Sequence, residues 1–165
     1  MARSQKYLGD RGMLLMLALT SSFPPLSTDL YLPALPRMMA DFGAAKAHLN
    51  LTLSLFFIFF AVSLLIWGPL SDKYGRKPVL ITGLVIYVLS SVMCALAGSI
   101  SLLIVFRICQ AIGGGAATAV STAVVKDHFT GEKRATALAM IMTMVIIAPV
   151  IAPLLGAFLL KIASW

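Results

Sequence analysis

Charged and apolar positions along the chain segregate into long blocks, without the two-residue alternation of a half-buried strand. Residues 49–71 run 23 positions without Asp, Glu, Lys, Arg or His, residues 108–125 run 18, and residues 135–160 run 26. Residues 78–106 run 29, too long for one membrane crossing with its loop, and Gly98-Ser99 is the one turn signal inside them. The first block, 12–28, is 17 residues long and continues past Asp29 to Leu35. A helical crossing of the bilayer core takes about 20 residues. The pattern therefore predicts spans at about 13–36, 49–70, 77–97, 101–125 and 135–160.

Composition fits only that reading. Of the 165 residues, 60% are hydrophobic and 12% are charged, and mean hydropathy is +0.97. A soluble domain of this size has too little interior to hide so much apolar surface. A disordered chain and a typical soluble enzyme are excluded. The net charge of +7 would favour nucleic acid in a soluble protein. Here the charges lie between apolar blocks, so they mark loops at a membrane surface and exclude a nucleic-acid role. The fold class is an all-α membrane protein with five transmembrane helices.

Loop charges set the orientation. Arg3, Lys6 and Arg11 precede the first span. Lys73, Arg76 and Lys77 follow the second, and Lys126, Lys133 and Arg134 follow the fourth. The opposite side carries Arg37, Lys46 and Lys161. Basic residues concentrate on the cytoplasmic side, so residues 1–12 are expected in the cytoplasm and Trp165 at the outer interface. The N-terminus has the charge and apolar run of a signal peptide but no small-x-small cleavage site, so it reads as a retained span. An odd span count that stops abruptly points to part of a longer transporter, with a natural five-span protein as the alternative.

Two ionisable residues fall inside spans, Asp29 and Arg107. Each is costly in the bilayer, about 2.5–3.5 kcal/mol on insertion scales, so each should face a cavity or the other. Interfacial snorkelling is the plainer reading and suits Arg107 better. Counted from the outer ends of their spans, the two lie about 9–10 Å deep. The expectation is that they face one another across a central cavity. A carboxyl in low dielectric holds its proton tightly and a nearby cation loosens it, so motion that separates such a pair couples to proton binding.

Pro24, Pro25, Pro33 and Pro36 in the first span, and Pro149 and Pro153 in the fifth, predict kinks. Small residues recur every four positions at Ala111, Gly115, Ala119 and Ala123, and at Ala148, Ala152 and Gly156, as in closely packed membrane helices. Other candidates are weak. Cys94 and Cys109 sit in apolar spans and read as packing. His48 and His128 lie on opposite sides and form no joint metal site. Gly113-Gly114-Gly115 lacks the Lys-Ser/Thr of a phosphate loop. No nucleophile, base and acid set is visible, so the chain is not expected to be an enzyme, and no cofactor is called for.

The link between the second and third spans reads Gly68-Pro-Leu-Ser-Asp72-Lys-Tyr-Gly75-Arg76-Lys77-Pro78. It resembles the signature loop G-x-L-x-D-x-x-G-R-K/R of the major facilitator superfamily. Gly75 permits a tight turn, Lys73, Arg76 and Lys77 suit an anionic leaflet, and Asp72 suits a helix N-terminus or an arginine. Arg107-Ile-Cys-Gln110 resembles the superfamily's fourth-span motif R-x-x-Q-G, with Ala111 in place of the first Gly. The stretch from Ala148-Pro149 through Ala152-Pro153 to Gly156-Ala157 resembles the fifth-span motif of drug:proton antiporters, where Gly is commoner at 148, 152 and 157. Asp29-Leu-Tyr31-Leu-Pro33-Ala-Leu-Pro36 is similar to the end of the first span in Bcr/CflA (bicyclomycin/chloramphenicol resistance) exporters.

The resemblance covers nearly the whole chain as the first five of twelve spans. It implies that residues 13–165 are an incomplete N-terminal six-helix bundle. The activity implied is proton-coupled efflux of amphipathic drugs by alternating access, driven by the proton gradient. Asp29 and Arg107 would serve proton coupling, and Tyr31 and Gln110 the same cavity. Gly68, Asp72, Gly75, Arg76 and Lys77 would form the gating loop. Pro149, Pro153 and Gly156 would give the tight packing that limits leak. The partners implied are a small-molecule drug, the lipid bilayer of a bacterial inner membrane and the missing C-terminal half, without which the chain is not expected to transport. A superfamily carrier of another substrate class, such as a metabolite or sugar importer, and a five-span fragment that merely folds or assembles remain the alternatives.

Overall fold

Apolar blocks of this length satisfy their backbone groups internally by becoming helices, because the bilayer core offers no other partners. The computed structural model describes residues 9–162. Arg3, Lys6 and Trp165, used in the orientation argument, lie outside them. The elements are α1 (Asp10–Tyr31), a 3-10 turn (Leu32–Ala34), α2 (Leu35–Phe42), α3 (Lys46–Tyr74), α4 (Arg76–Ala95), α5 (Ile100–His128) and α6 (Gly131–Ile162). No strand occurs among the described residues.

The breaks have local causes. A single residue, Gly75, separates α3 from α4, at φ 94° and ψ 151°. A Cβ there would meet nothing closer than Pro78 Cδ at 3.7 Å, so the backbone conformation, and not space, calls for glycine. Ser99 starts α5 with its side chain accepting from the Leu102 amide, at the turn expected from Gly98-Ser99. The first predicted span is not one helix. Pro33 and Pro36 each stand at the start of a new element, and the chain tightens into the 3-10 turn between α1 and α2. Pro24, Pro25, Pro69, Pro149 and Pro153 lie inside continuous helices.

Among the described residues, four helices are long and apolar enough to cross a membrane: Lys46–Tyr74, Arg76–Ala95, Ile100–His128 and Gly131–Lys161. The 22-residue α1, which covers most of the first expected span, is not among them by composition. Its Thr20, Ser21, Ser22, Ser27, Thr28 and Asp29 dilute the apolar run. It joins the bundle through packing, lying along α6 and touching α5.

The distribution of side chains is that of a protein in lipid. Outward positions carry large apolar groups, with Leu65 78%, Leu96 73% and Leu154 73% exposed. Inward positions carry Thr20, Ser21, Thr52, Ser63, Ser71 and Ser121. Many of these hydroxyls donate to a carbonyl one turn back, as Thr52 does to Leu49 O at 2.6 Å and Ser63 to Phe60 O at 2.7 Å. Polar groups turned inward and apolar groups turned outward minimise exposure of polar atoms to hydrocarbon.

α5 is the hub. It packs along α3 and α4 on one side and meets α1 on the other. Gly113, Gly114 and Gly115 each serve a different neighbour, since successive helical residues point about 100° apart. A Cβ on Gly113 would lie 2.6 Å from Tyr87 N of α4 and 2.7 Å from Gly83 O. One on Gly114 would lie 2.9 Å from Pro24 Cγ of α1, and one on Gly115 would collide with Ser63 of α3. The α1–α6 seam uses the same device. Ala148, Ala152 and Gly156 are buried, and a Cβ on Gly156 would lie 2.5 Å from Leu30 O.

Candidate functional site

Arg107 is the buried charge at the centre of the bundle. It lies in the first third of α5, which the hub position of that helix turns inward, and only 6% of it is exposed. Its guanidinium carbon sits 4.1 Å above the Tyr31 ring of α1 and 5.9 Å from the Phe56 ring of α3. Nη1 donates to Gln110 Oε1 at 3.2 Å, one turn along the same helix. Gln110 Nε2 donates to Ser91 Oγ of α4 at 2.7 Å, and Ser91 Oγ donates to Tyr87 O at 2.7 Å. Thr52 Oγ1, committed as donor to Leu49 O, accepts from the Tyr31 hydroxyl at 3.1 Å. The Tyr87 hydroxyl in turn donates to Phe23 O of α1 at 2.9 Å. Polar groups from α1, α3, α4 and α5 thus converge on one level of the bundle.

A cavity of about 370 Å³ opens beside this cluster. Ser27 and Tyr31 of α1, Ser91 and Cys94 of α4, Arg107 and Gln110 of α5, and Gly156 of α6 line it. The rest of the wall is apolar, including Leu30, Met38, Leu103 and Leu159. A mostly apolar cavity with a few converging polar groups is the usual form of a small-molecule site. The structure therefore brings Tyr31, Arg107, Gln110 and Gly156 together.

Asp29 is not with them. The expected pairing of Asp29 with Arg107 is absent: among the described residues Asp29 takes part in no ion pair and does not line the cavity. It is half-buried on α1. The cause is angular. Asp29 and Tyr31 are about 200° apart around the helix at 3.6 residues per turn, so the rotation that presents Tyr31 to Arg107 turns Asp29 away.

A second cluster forms where α3 and α5 end and α4 begins. Arg76 Nη2 lies 2.6 Å from Asp72 Oδ1, and Arg76 Nε lies 2.9 Å from Asp127 Oδ2 at the end of α5. Arg76 also donates through Nη1 to the buried Ser71 hydroxyl. Gly68, Asp72 and Arg76 share a groove of about 450 Å³ with Thr118, Thr122 and Asp127. Gly75 sets the turn that aims Arg76 back at α3. Lys77 is exposed and joins neither partner in an ion pair among the described residues. Pro149 and Pro153 are half-buried beside the α1–α6 seam.

The sequence profile of the Major Facilitator Superfamily matches residues 17–165. The chain belongs to that superfamily. Its members are carriers and not enzymes, and it is an integral, multi-pass membrane protein. It is 37% identical over 141 residues to "Multidrug resistance protein MdtL" of Klebsiella pneumoniae (strain 342), covering 86% of this chain and 36% of that protein. A protein of the same name from Escherichia coli (strain K12 / DH10B) is 34% identical over the same length. The chain thus spans about a third of the length of these curated relatives. The fold is similar to that of a bacterial homolog to the human lysosomal transporter Spinster, in an inward-facing and occupied conformation. The TM-score is 0.80 at 24% identity, covering 87% of this chain and 31% of that one.

Several residues of these two clusters of the superfamily chain stand out little in its sequence. Asp127 immediately follows Lys126 at the end of an uncharged run, and an acidic residue opposite a basic loop was the available signal. Ser91, in a Ser-Ser pair amid an apolar span, is a polar outlier of the same kind. Thr52 and Phe56 carried no signal that separates them from ordinary packing.

Proposed function

We propose that the chain is the N-terminal part of a Bcr/CflA-type drug:proton antiporter of a bacterial inner membrane, with its N-terminus in the cytoplasm. One observation carries the reading. α1 and α5 hold Tyr31, Arg107 and Gln110 around a mostly apolar cavity that α4 and α6 also line, in a chain 34–37% identical to proteins named for multidrug resistance. Amphipathic drugs would enter the cavity from the membrane or cytoplasm, and alternating access around it would release them outside. Asp29 would carry the coupled proton. It stands apart from Arg107, so its protonation would act on the rotation of α1 and, through Tyr31, on the cavity. Asp72, Gly75, Arg76 and Lys77, with Asp127, would hold the cytoplasmic gate by bridging α3, α4 and α5. The rest of the transporter would supply the other cavity wall.

The test is drug susceptibility of cells expressing the complete gene. The unsubstituted protein is expected to raise the tolerated concentration of amphipathic antibiotics, and Asp29→Asn to abolish the gain at equal membrane abundance. Undiminished resistance with Asp29→Asn would overturn the role of Asp29. No resistance to any such compound would overturn export.

A further inference from the structure

The cavity beside Arg107 has an uneven balance of charge. Among the described residues, Arg107 is the one ionic residue of its wall, and this wall has no Asp or Glu. The nearby acceptors are already committed: Gln110 Oε1 takes Nη1, Ser91 Oγ takes Gln110, and Thr52 Oγ1 takes Tyr31. Arg107 Nε is buried and has no hydrogen-bond partner among the described atoms. A buried, charged donor left unpaired is unfavourable, and a planar guanidinium edge matches carboxylate and carbonyl acceptors. Tyr31 covers one face of the guanidinium, which leaves its edge as the route for an incoming acceptor. Leu30, Met38, Leu103 and Leu159 offer an apolar bed for the remainder of a ligand.

We propose that this cavity binds amphipathic compounds through an anionic or carbonyl-type acceptor head seated on Arg107, and that it rejects amphipathic cations. The proposal rests on the cavity being the site of the transported compound. It names the chemical class that the cavity selects. The selectivity follows from this wall of the cavity, where Arg107 has no carboxylate beside it: a cation would meet an unneutralised guanidinium in low dielectric, whereas an anion would gain a charge-assisted hydrogen bond.

The test reads binding, so it is separable from whether cells become drug resistant. The chain in lipid nanodiscs is dialysed at neutral pH against phenylbutyrate, phenylbutyramide or phenylpropyltrimethylammonium, with empty nanodiscs subtracted. These probes share one apolar body. Phenylbutyrate is expected to bind about 10- to 100-fold more tightly than the ammonium probe, the range of a hydrogen bond to a charged group, with the amide between. Arg107→Gln is expected to erase the preference while retaining helical circular dichroism. Should that variant fail to fold, the probe series on the unsubstituted chain decides alone. Equal or tighter binding of the ammonium probe, no binding of any probe, or an unchanged preference in folded Arg107→Gln would overturn the proposal.

Discussion

Arg107 illustrates what a single position can and cannot disclose. Its charge inside an apolar run was enough to call for an inward position, and the resemblance to the fourth-span motif added Gln110, which lies beside it on α5. Its partner was not legible. Depth along a span follows from counting residues, and Asp29 and Tyr31 lie at nearly the same depth. Rotation about the helix axis decides between them, and it is set by Pro24 packing on Gly114 and by the 3-10 turn after Tyr31. The same holds for Arg76. Its sequence neighbour Asp72 was an expected partner, while Asp127 comes from 51 residues away. The side chains of Arg76 and Asp127 are 26% and 57% exposed, so the pair is a clasp more than an anchor. A double-mutant cycle of Arg76→Ala with Asp127→Ala, read by SDS unfolding in mixed micelles, is expected to give a coupling below about 1 kcal/mol. The coupling should shrink further in high salt. A substantially larger, salt-insensitive coupling would contradict this account.

At the scale of elements, the blocks of apolar residues and the Gly98-Ser99 turn were readable because bilayer thickness and backbone hydrogen bonding leave few choices. The role of α5 was less so. Its three consecutive glycines have no nucleotide-binding context, and only the contacts show that each admits a different helix. A sequence does not state how many neighbours a helix has. Gly113→Ala and Gly115→Ala are expected to destabilise the bundle by about 1–3 kcal/mol each through overpacking. Gly98→Ala, where a Cβ would meet nothing within 4 Å, is expected to change stability by less than about 0.5 kcal/mol. The comparison is made by the same SDS unfolding. Equal effects at Gly98 and Gly113 would remove the argument that α5 is a close-packed hub.

For the whole molecule, the composition already required a membrane, and the arrangement explains how a 60% hydrophobic chain is used. Among the described residues, large apolar side chains such as Leu65, Leu154 and Ile146 face outward, while many hydroxyls, small residues and Arg107 face inward. The basic loops gather at one end. Arg11 begins α1 there, Lys73 and Lys77 flank Gly75, and Lys126, Lys133 and Arg134 flank the α5–α6 link, where Arg134 donates to Phe129 O and Lys126 O. Lys161 closes the opposite end of α6. With Cys94 and Cys109 replaced by alanine, Lys161→Cys is expected to react with an impermeant maleimide in intact cells. Lys77→Cys is expected to react only after permeabilisation, following the positive-inside rule. The reverse pattern would invert the orientation and with it the direction of export.

The central claim is that drug movement through the Arg107 cavity is coupled to protons at Asp29. The most direct measurement is proton flux in everted membrane vesicles that contain the complete transporter. The vesicles are energised to an acid interior and monitored with a pH-sensitive dye. Adding a transported drug is expected to collapse part of the proton gradient with the unsubstituted protein, and to leave it intact with Asp29→Asn. Drug accumulation in the vesicles with no accompanying proton efflux, or an equal efflux with Asp29→Asn, would contradict the account.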